Sequence, residues 1–256
     1  MSSREKMPAA YKALEPAERI IVALDCGREQ AHALAAQLEG EVGWLKVGMT
    51  LFYREGPQIV QLFKERGFKV FVDLKLHDIP HQIQGAAQSV VECGADMFSI
   101  HASGGAAMME AARAGGEAGY AALPPEQKGD KPLSVGITVL TSTDANTLAS
   151  IGVEQSTQEQ VKRLALLAQN AGLSGVVASP QEAAMLRELL GPEALIVTPG
   201  VRPAGAELGD QHRVATPAAA LVAGASHLVI GRPVTEAENP SEALHKIISE
   251  IKEGTL

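Results

Sequence analysis

The run from Phe71 to Pro80, FVDLKLHDIP, sets two carboxylates and a lysine, Asp73, Asp78 and Lys75, at the end of a stretch that begins as an apolar strand. A buried ion pair rarely stabilises a fold relative to apolar side chains, so charges at such a place point to a role. Asp73 and Lys75 are two residues apart and share one face of an extended strand. A lysine flanked by carboxylates stays cationic, which suits it to deliver a proton and not to act as a nucleophile. A second group of residues suits an anion. Gly200 and Gly231 offer backbone amides at close approach, and Arg202 and Arg232 follow them. A guanidinium beside such donors can hold phosphate in bidentate fashion.

These residues need elements that bring them together. Eight short runs rich in Val, Ile and Leu recur along the chain: IIVALD (20–25), WLKVGM (44–49), KVFVDLK (69–75), MFSIHA (97–102), LSVGITVL (133–140), GVVAS (175–179), ALIVTPG (194–200) and HLVIGR (227–232). Helix-like stretches follow them in turn, at 29–38, 57–66, 80–92, 106–118, 158–169, 181–190, 217–223 and 241–252. Apolar runs alternating with helices are the pattern of parallel strands joined by crossovers. Eight units predict an α/β protein with a single (β/α)8 TIM barrel over residues 19–256, preceded by an extension, residues 1–18. No dinucleotide-type glycine fingerprint follows the first strand.

In such a barrel the chemistry belongs at the C-terminal strand ends. Those ends carry Asp25, Lys46, Asp73 with Lys75, His101, Thr141-Ser142, Ser179, Arg202 and Gly231-Arg232. Each has a structural reading as well. Asp25 could cap the next helix, Lys46 could extend to solvent from a strand end, His101 could be a core histidine, and Ser179-Pro180 could start a helix. Their convergence on one mouth favours function.

Composition narrows the partners. The formal net charge is −8 and lysines and arginines form no cluster, which argues against nucleic acid or an anionic membrane. Cys26 and Cys93 make neither a metal-ligand pattern nor a disulfide framework, as expected of small residues in a reducing compartment. Residues 1–18 contain no apolar signal region and no later segment is a long unbroken apolar run, so a soluble, cytoplasmic protein is expected.

The motifs together resemble the orotidine 5'-phosphate decarboxylase family. DLKLHDIP is similar to its Asp-x-Lys-x-x-Asp-Ile-Pro signature. ALD ending at Asp25, LKVG around Lys46, IHASGG from Ile100, TVLTS from Thr138, PGVRP from Pro199, GDQHRVATP from Gly209 and IGRPVT from Ile230 follow in the family's order. The resemblance spans residues 20–240. It implies an enzyme with no cofactor and no metal that converts orotidine 5'-phosphate to uridine 5'-phosphate and CO2, the last step of de novo pyrimidine synthesis. It also implies a Lys46-Asp73-Lys75-Asp78 charge network around the reacting carbon, with Lys75 protonating carbon 6. Asp78 would enter the neighbouring subunit's site, giving a homodimer with sites at its interface. Asp25 and Lys46 would meet the ribose hydroxyls and Thr141 the pyrimidine, with Asp73 and Ile79 also contacting substrate. Arg202, Gln211, Gly231 and Arg232 would hold the phosphate, and the loop bearing Gln211 would close over it.

One position departs from the pattern: Gln82 stands where the family commonly has a threonine that reaches the partner's ribose. The alternative on the same barrel plan is a metal-dependent sugar-phosphate decarboxylase or aldolase with a carboxylate-bound Mg2+. TVLTS and GDQHRV fit the orotidylate branch better. A non-catalytic nucleotide-binding barrel would have no use for two carboxylates beside an anionic ligand.

Overall fold

Each of the eight apolar runs forms a strand: β1 (Ile20–Ala23), β2 (Trp44–Gly48), β3 (Lys69–Leu76), β4 (Met97–His101), β5 (Leu133–Ile137), β6 (Gly175–Val177), β7 (Leu195–Thr198) and β8 (His227–Ile230). They pair in parallel in chain order, and β8 returns to β1 to close the barrel. The computed structural model describes residues 14–203 and 215–254. The fold is a single (β/α)8 TIM barrel.

Twelve helices lie among the described residues: α1 (Pro16–Arg19), α2 (Arg28–Leu38), α3 (Met49–Glu55), α4 (Gln58–Glu65), α5 (Pro80–Glu92), α6 (Ala106–Ala122), α7 (Ala145–Ser150), α8 (Thr157–Asn170), α9 (Ala183–Leu190), α10 (Pro217–Val222), α11 (Arg232–Thr235) and α12 (Pro240–Gly254). The eight predicted helices are present. The other four, α1, α3, α7 and α11, are too short for a helical period to stand out in sequence. Several strands stop before their apolar run does. β5 was expected to reach residue 140, yet its pairing with β6 runs out at Ile137 opposite Val177. A strand needs a neighbour to satisfy its backbone, and β6 has only three residues.

Side-chain alternation sorts the strands into two apolar layers. Ile21, Ala23, Trp44, Phe71, Met97, Val135, Val197 and Val229 fill the barrel interior. Their neighbours, such as Ile20, Val22, Leu45, Val47, Val70 and Val72, pack outward against the helices. Strands buried on both faces read as continuous apolar runs, which is why they were visible in the sequence. α5 and α6 pack backbone to backbone, because a Cβ at Gly115 would collide with the Gln84 carbonyl and one at Gly119 would come within 2.6 Å of the Gln88 carbonyl. This pairing gives the turn between β3 and α5 a firm base.

At the N-terminal end of the barrel α1 is tied to the segments that lead into β2 and β8. The Gly43 amide donates to the Ala17 carbonyl at 3.1 Å. Arg19 donates to the carbonyls of Ala225 at 2.7 Å and Ser226 at 3.0 Å.

Candidate active site

The C-terminal ends of the strands open into a cavity of about 510 Å3. Asp25, Lys46, Asp73, Lys75, Thr141, Arg202, Gly231 and Arg232 all line it, so eight of the residues singled out in the sequence meet in one place. Pro199, Gly200, Val139 and Leu140 complete its wall from the loops after β7 and β5.

The charged residues form a chain of contacts. Lys46 Nζ donates to Asp25 Oδ1 at 2.8 Å and lies 3.5 Å from Asp73 Oδ2. Lys75 Nζ donates to the same Asp73 Oδ2 at 2.7 Å. The Lys46 side chain is 8% exposed, and α2 is capped at Gly27, not at Asp25. The structural readings of Lys46 and Asp25 therefore fall away. Gly48 makes room for this pairing: a Cβ there would stand 2.7 Å from Asp25 Oδ1 and 3.1 Å from Lys46 Nζ. Burial pushes the Asp73 carboxyl up, but Lys46 and Lys75, with hydrogen bonds from Lys75 and Ser99, outweigh it and hold it below the usual carboxylate range.

β3 delivers its two charges through an irregularity. Val72 pairs with Phe98, but the next pair is Leu76 with Ile100, so two additional residues are accommodated on β3. An even number preserves side-chain parity, and Asp73 and Lys75 both still face the cavity. Lys75 has φ of 54°, a left-handed conformation that a non-glycine residue rarely adopts without a stabilising contact.

Beyond β3 the chain leaves the cavity. Asp78, Ile79 and Gln82 are exposed and do not line it, and Ile79 is 64% exposed. The Ile79 amide donates to Asp78 Oδ1 at 2.7 Å, which steadies the turn into α5. Gln211 lies outside the described residues.

His101 does not line the cavity. Its ring packs against His77 at 5.5 Å, and burial lowers its pKa, with the nearby charge of His77 and Lys75 adding to the effect. It is half-buried, not the core histidine of its structural reading. Ser179 starts a helical turn, its hydroxyl and the Glu182 carboxylate forming a capping box. Cys26 and Cys93 are free and half-buried, and burial raises both thiols. Among the described residues no group of three or more His, Cys, Asp and Glu side chains is arranged to hold a metal ion.

Sequence reasoning missed Ser99, which is fully buried beside Asp73. The available signal was a serine within the strand run MFSIHA, with the same parity as Met97 and His101.

The model of the orotidine 5'-phosphate decarboxylase / HUMPS family matches residues 18–247. The chain belongs to this family. The orotidine 5'-phosphate decarboxylase of Moorella thermoacetica is 50% identical over 237 residues, 92% of each chain. That of Halorhodospira halophila is 52% identical over 234 residues, covering 91% of this chain and 95% of its own. The crystal structure of orotidine 5'-phosphate decarboxylase from Lactobacillus acidophilus superposes with a TM-score of 0.80 at 35% identity, covering 91% of this chain and 99% of the other. The family resemblance read from the motifs is therefore borne out over most of the chain. No helix among the described residues is long and apolar enough to cross a membrane.

Proposed function

We propose that this protein decarboxylates orotidine 5'-phosphate to uridine 5'-phosphate and CO2. Family membership gives the reaction class. The observation that carries the reading to these residues is one cavity with Asp25, Lys46, Asp73 and Lys75 on one part of its wall and Gly200, Arg202, Gly231 and Arg232 on another. A phosphate held at the second group sets the nucleotide across the first.

Loss of CO2 from carbon 6 leaves an electron pair with little delocalisation, so a proton source must be close. Lys75 Nζ, kept cationic by Asp73, protonates carbon 6 as CO2 leaves. Asp73 sits beside the departing carboxylate, and its charge raises the ground state relative to the transition state. The fixed Lys46-Asp73-Lys75 array also stabilises the developing carbanion without having to reorganise. A reaction this slow without catalysis asks for a barrier reduction on the order of 20 kcal/mol, more than one residue supplies. Phosphate binding contributes the remainder by organising the reacting end.

Asp78 acts in the site of a second copy. Its exposure outside its own cavity, next to the 64% exposed Ile79, supports a homodimer in which Asp78, Ile79 and Gln82 reach across. Gln82 replaces the hydroxyl of a threonine with an amide that can both donate and accept.

The direct test is loss of the ultraviolet absorbance of orotidine 5'-phosphate on mixing with purified protein in EDTA. Turnover is expected to continue. Activity abolished by EDTA and restored by Mg2+ would instead favour the metal-dependent branch.

Two further results are expected. Arg232→Ala should weaken binding of uridine 5'-phosphate by roughly 10- to 100-fold, the effect of losing a charge-assisted phosphate contact, as read by titration calorimetry. Equal amounts of inactive Lys75→Ala and Asp78→Ala proteins, mixed and allowed to exchange subunits, should recover about a quarter of wild-type activity, since half the dimers are then mixed and each has one intact site. Absence of recovery despite verified exchange would contradict shared sites.

A further inference from the structure

We infer that Ser99 is a positioning residue for decarboxylation, a hydroxyl on β4 that fixes both the Asp73 carboxylate and the backbone from which Lys75 projects. The inference rests on the reading of Asp73 and Lys75 given above.

Ser99 is 0% exposed, inside the barrel wall. Its Oγ donates to Asp73 Oδ1 at 2.8 Å and accepts from the Lys75 amide at 2.9 Å. The direction of both bonds is set by chemistry, since an ionised carboxylate can only accept and a backbone amide can only donate. The single hydroxyl proton is therefore committed to Asp73 and a lone pair to Lys75.

Each bond does a separate job. Between the Val72–Phe98 and Leu76–Ile100 pairs the β3–β4 ladder is interrupted, and the Lys75 amide would otherwise lack a partner in the strand. Ser99 supplies one, and so holds a lysine whose φ is 54°. With Oδ1 pinned by Ser99, the Asp73 carboxylate cannot turn, and Oδ2 is left facing Lys75 Nζ at 2.7 Å and Lys46 Nζ at 3.5 Å. One side chain thus sets the position of the proton donor and the orientation of its counter-charge. A misplacement on the order of 1 Å at a reacting centre costs about 100-fold in rate.

A purely structural serine would affect stability alone. A positioning serine affects turnover more than binding, because the phosphate end lies on other strands. Ser99→Ala is expected to lower kcat by roughly 10- to 100-fold while KM moves less than about threefold. Ser99→Thr retains the hydroxyl and should recover most of that loss.

The pH profile supplies a second readout. The titratable groups around Asp73 are Lys46 from β2, Lys75 on β3 and His101 from β4, with Asp25 behind Lys46. The Ser99 hydrogen bond favours the charged form of Asp73, so its removal raises that carboxyl. The acid limb of kcat should move to higher pH in Ser99→Ala and return in Ser99→Thr.

The experiment is steady-state kinetics on orotidine 5'-phosphate across pH for wild type, Ser99→Ala, Ser99→Thr and Lys75→Ala, with thermal melts of each. An inactive Lys75→Ala beside a Ser99→Ala that keeps half or more of wild-type kcat would overturn the inference alone. A Lys75→Ala with full turnover would overturn the reading of the site, and the inference with it. Should Ser99→Ala not fold, Ser99→Cys takes its place, because a thiol is too weak a donor to hold Asp73. A wild-type kcat in that variant would likewise overturn it.

Discussion

Replacing Lys75 by alanine is expected to lower turnover roughly 10⁴-fold or more, since under the proposed mechanism it removes both the proton donor and a fixed positive charge at the reacting carbon. Affinity for uridine 5'-phosphate, which carries no carboxylate to meet Asp73, should stay within about threefold of wild type, because its phosphate contacts lie elsewhere on the wall. The variant should also fold. Removing one partner of a buried ion pair is usually severe, about 3–5 kcal/mol, because it strands the other charge. Here Asp73 keeps the Ser99 hydroxyl at 2.8 Å and Lys46 at 3.5 Å.

Lys75→Arg separates the two contributions. Arginine restores the charge but does not release a proton at accessible pH. If proton delivery is the main role, arginine should be nearly as inactive as alanine. Recovery of wild-type turnover by arginine would show instead that charge alone is what the reaction needs. Single-turnover kinetics with calorimetric binding would check both variants.

Lowering the pH from 7 to 4.5 is expected to destabilise the wild-type fold more than a His227→Leu variant, by about 2 kcal/mol. His227 lies on the barrel floor with its ring edge-on to Trp44 at 5.7 Å. Neither of its ring nitrogens has a hydrogen-bond partner among the described residues. Burial, aided by the nearby charges of Arg19 and Lys69, pushes its pKa from 6.5 down to about 4. In the unfolded chain the same ring takes up a proton near pH 6.5, so between these values the unfolded state binds more protons. The stability is fully present above about pH 6.5 and is lost progressively as the pH falls towards about 4.

Leucine cannot titrate and leaves no unpaired nitrogen, so the variant should be at least as stable as wild type at neutral pH. Urea unfolding of both proteins at pH 7 and pH 4.5 measures the difference. Equal losses in the two proteins would mean that His227 is not the group responsible.

Much of the site was legible before any fold was known. A parallel strand buried on both faces is apolar throughout, so the point at which polar residues begin marks the strand's end, and in this barrel that end is the active mouth. Asp25, Lys46, Asp73, Lys75, Arg202 and Arg232 stand out in this way, and all six line the cavity. The two-residue period of an extended chain also predicted that Asp73 and Lys75 face the same way. Those properties are local, and a sequence states them directly.

Other features depend on what lies across a strand boundary, where a sequence gives no register. Ser99 reads as one serine in an apolar run. It gains its importance only because the β3–β4 ladder is interrupted opposite it, leaving the Lys75 amide and Asp73 Oδ1 within its reach. The necessity of Gly48 likewise appears only once Asp25 and Lys46 meet over it from different strands. His227 resembles any strand-starting histidine until closure surrounds it with the barrel interior. Composition and spacing carry the eight strands, their polar ends and the family resemblance. Which of those ends touch follows from pairing register and barrel closure, cooperative properties of distant segments that local composition does not encode.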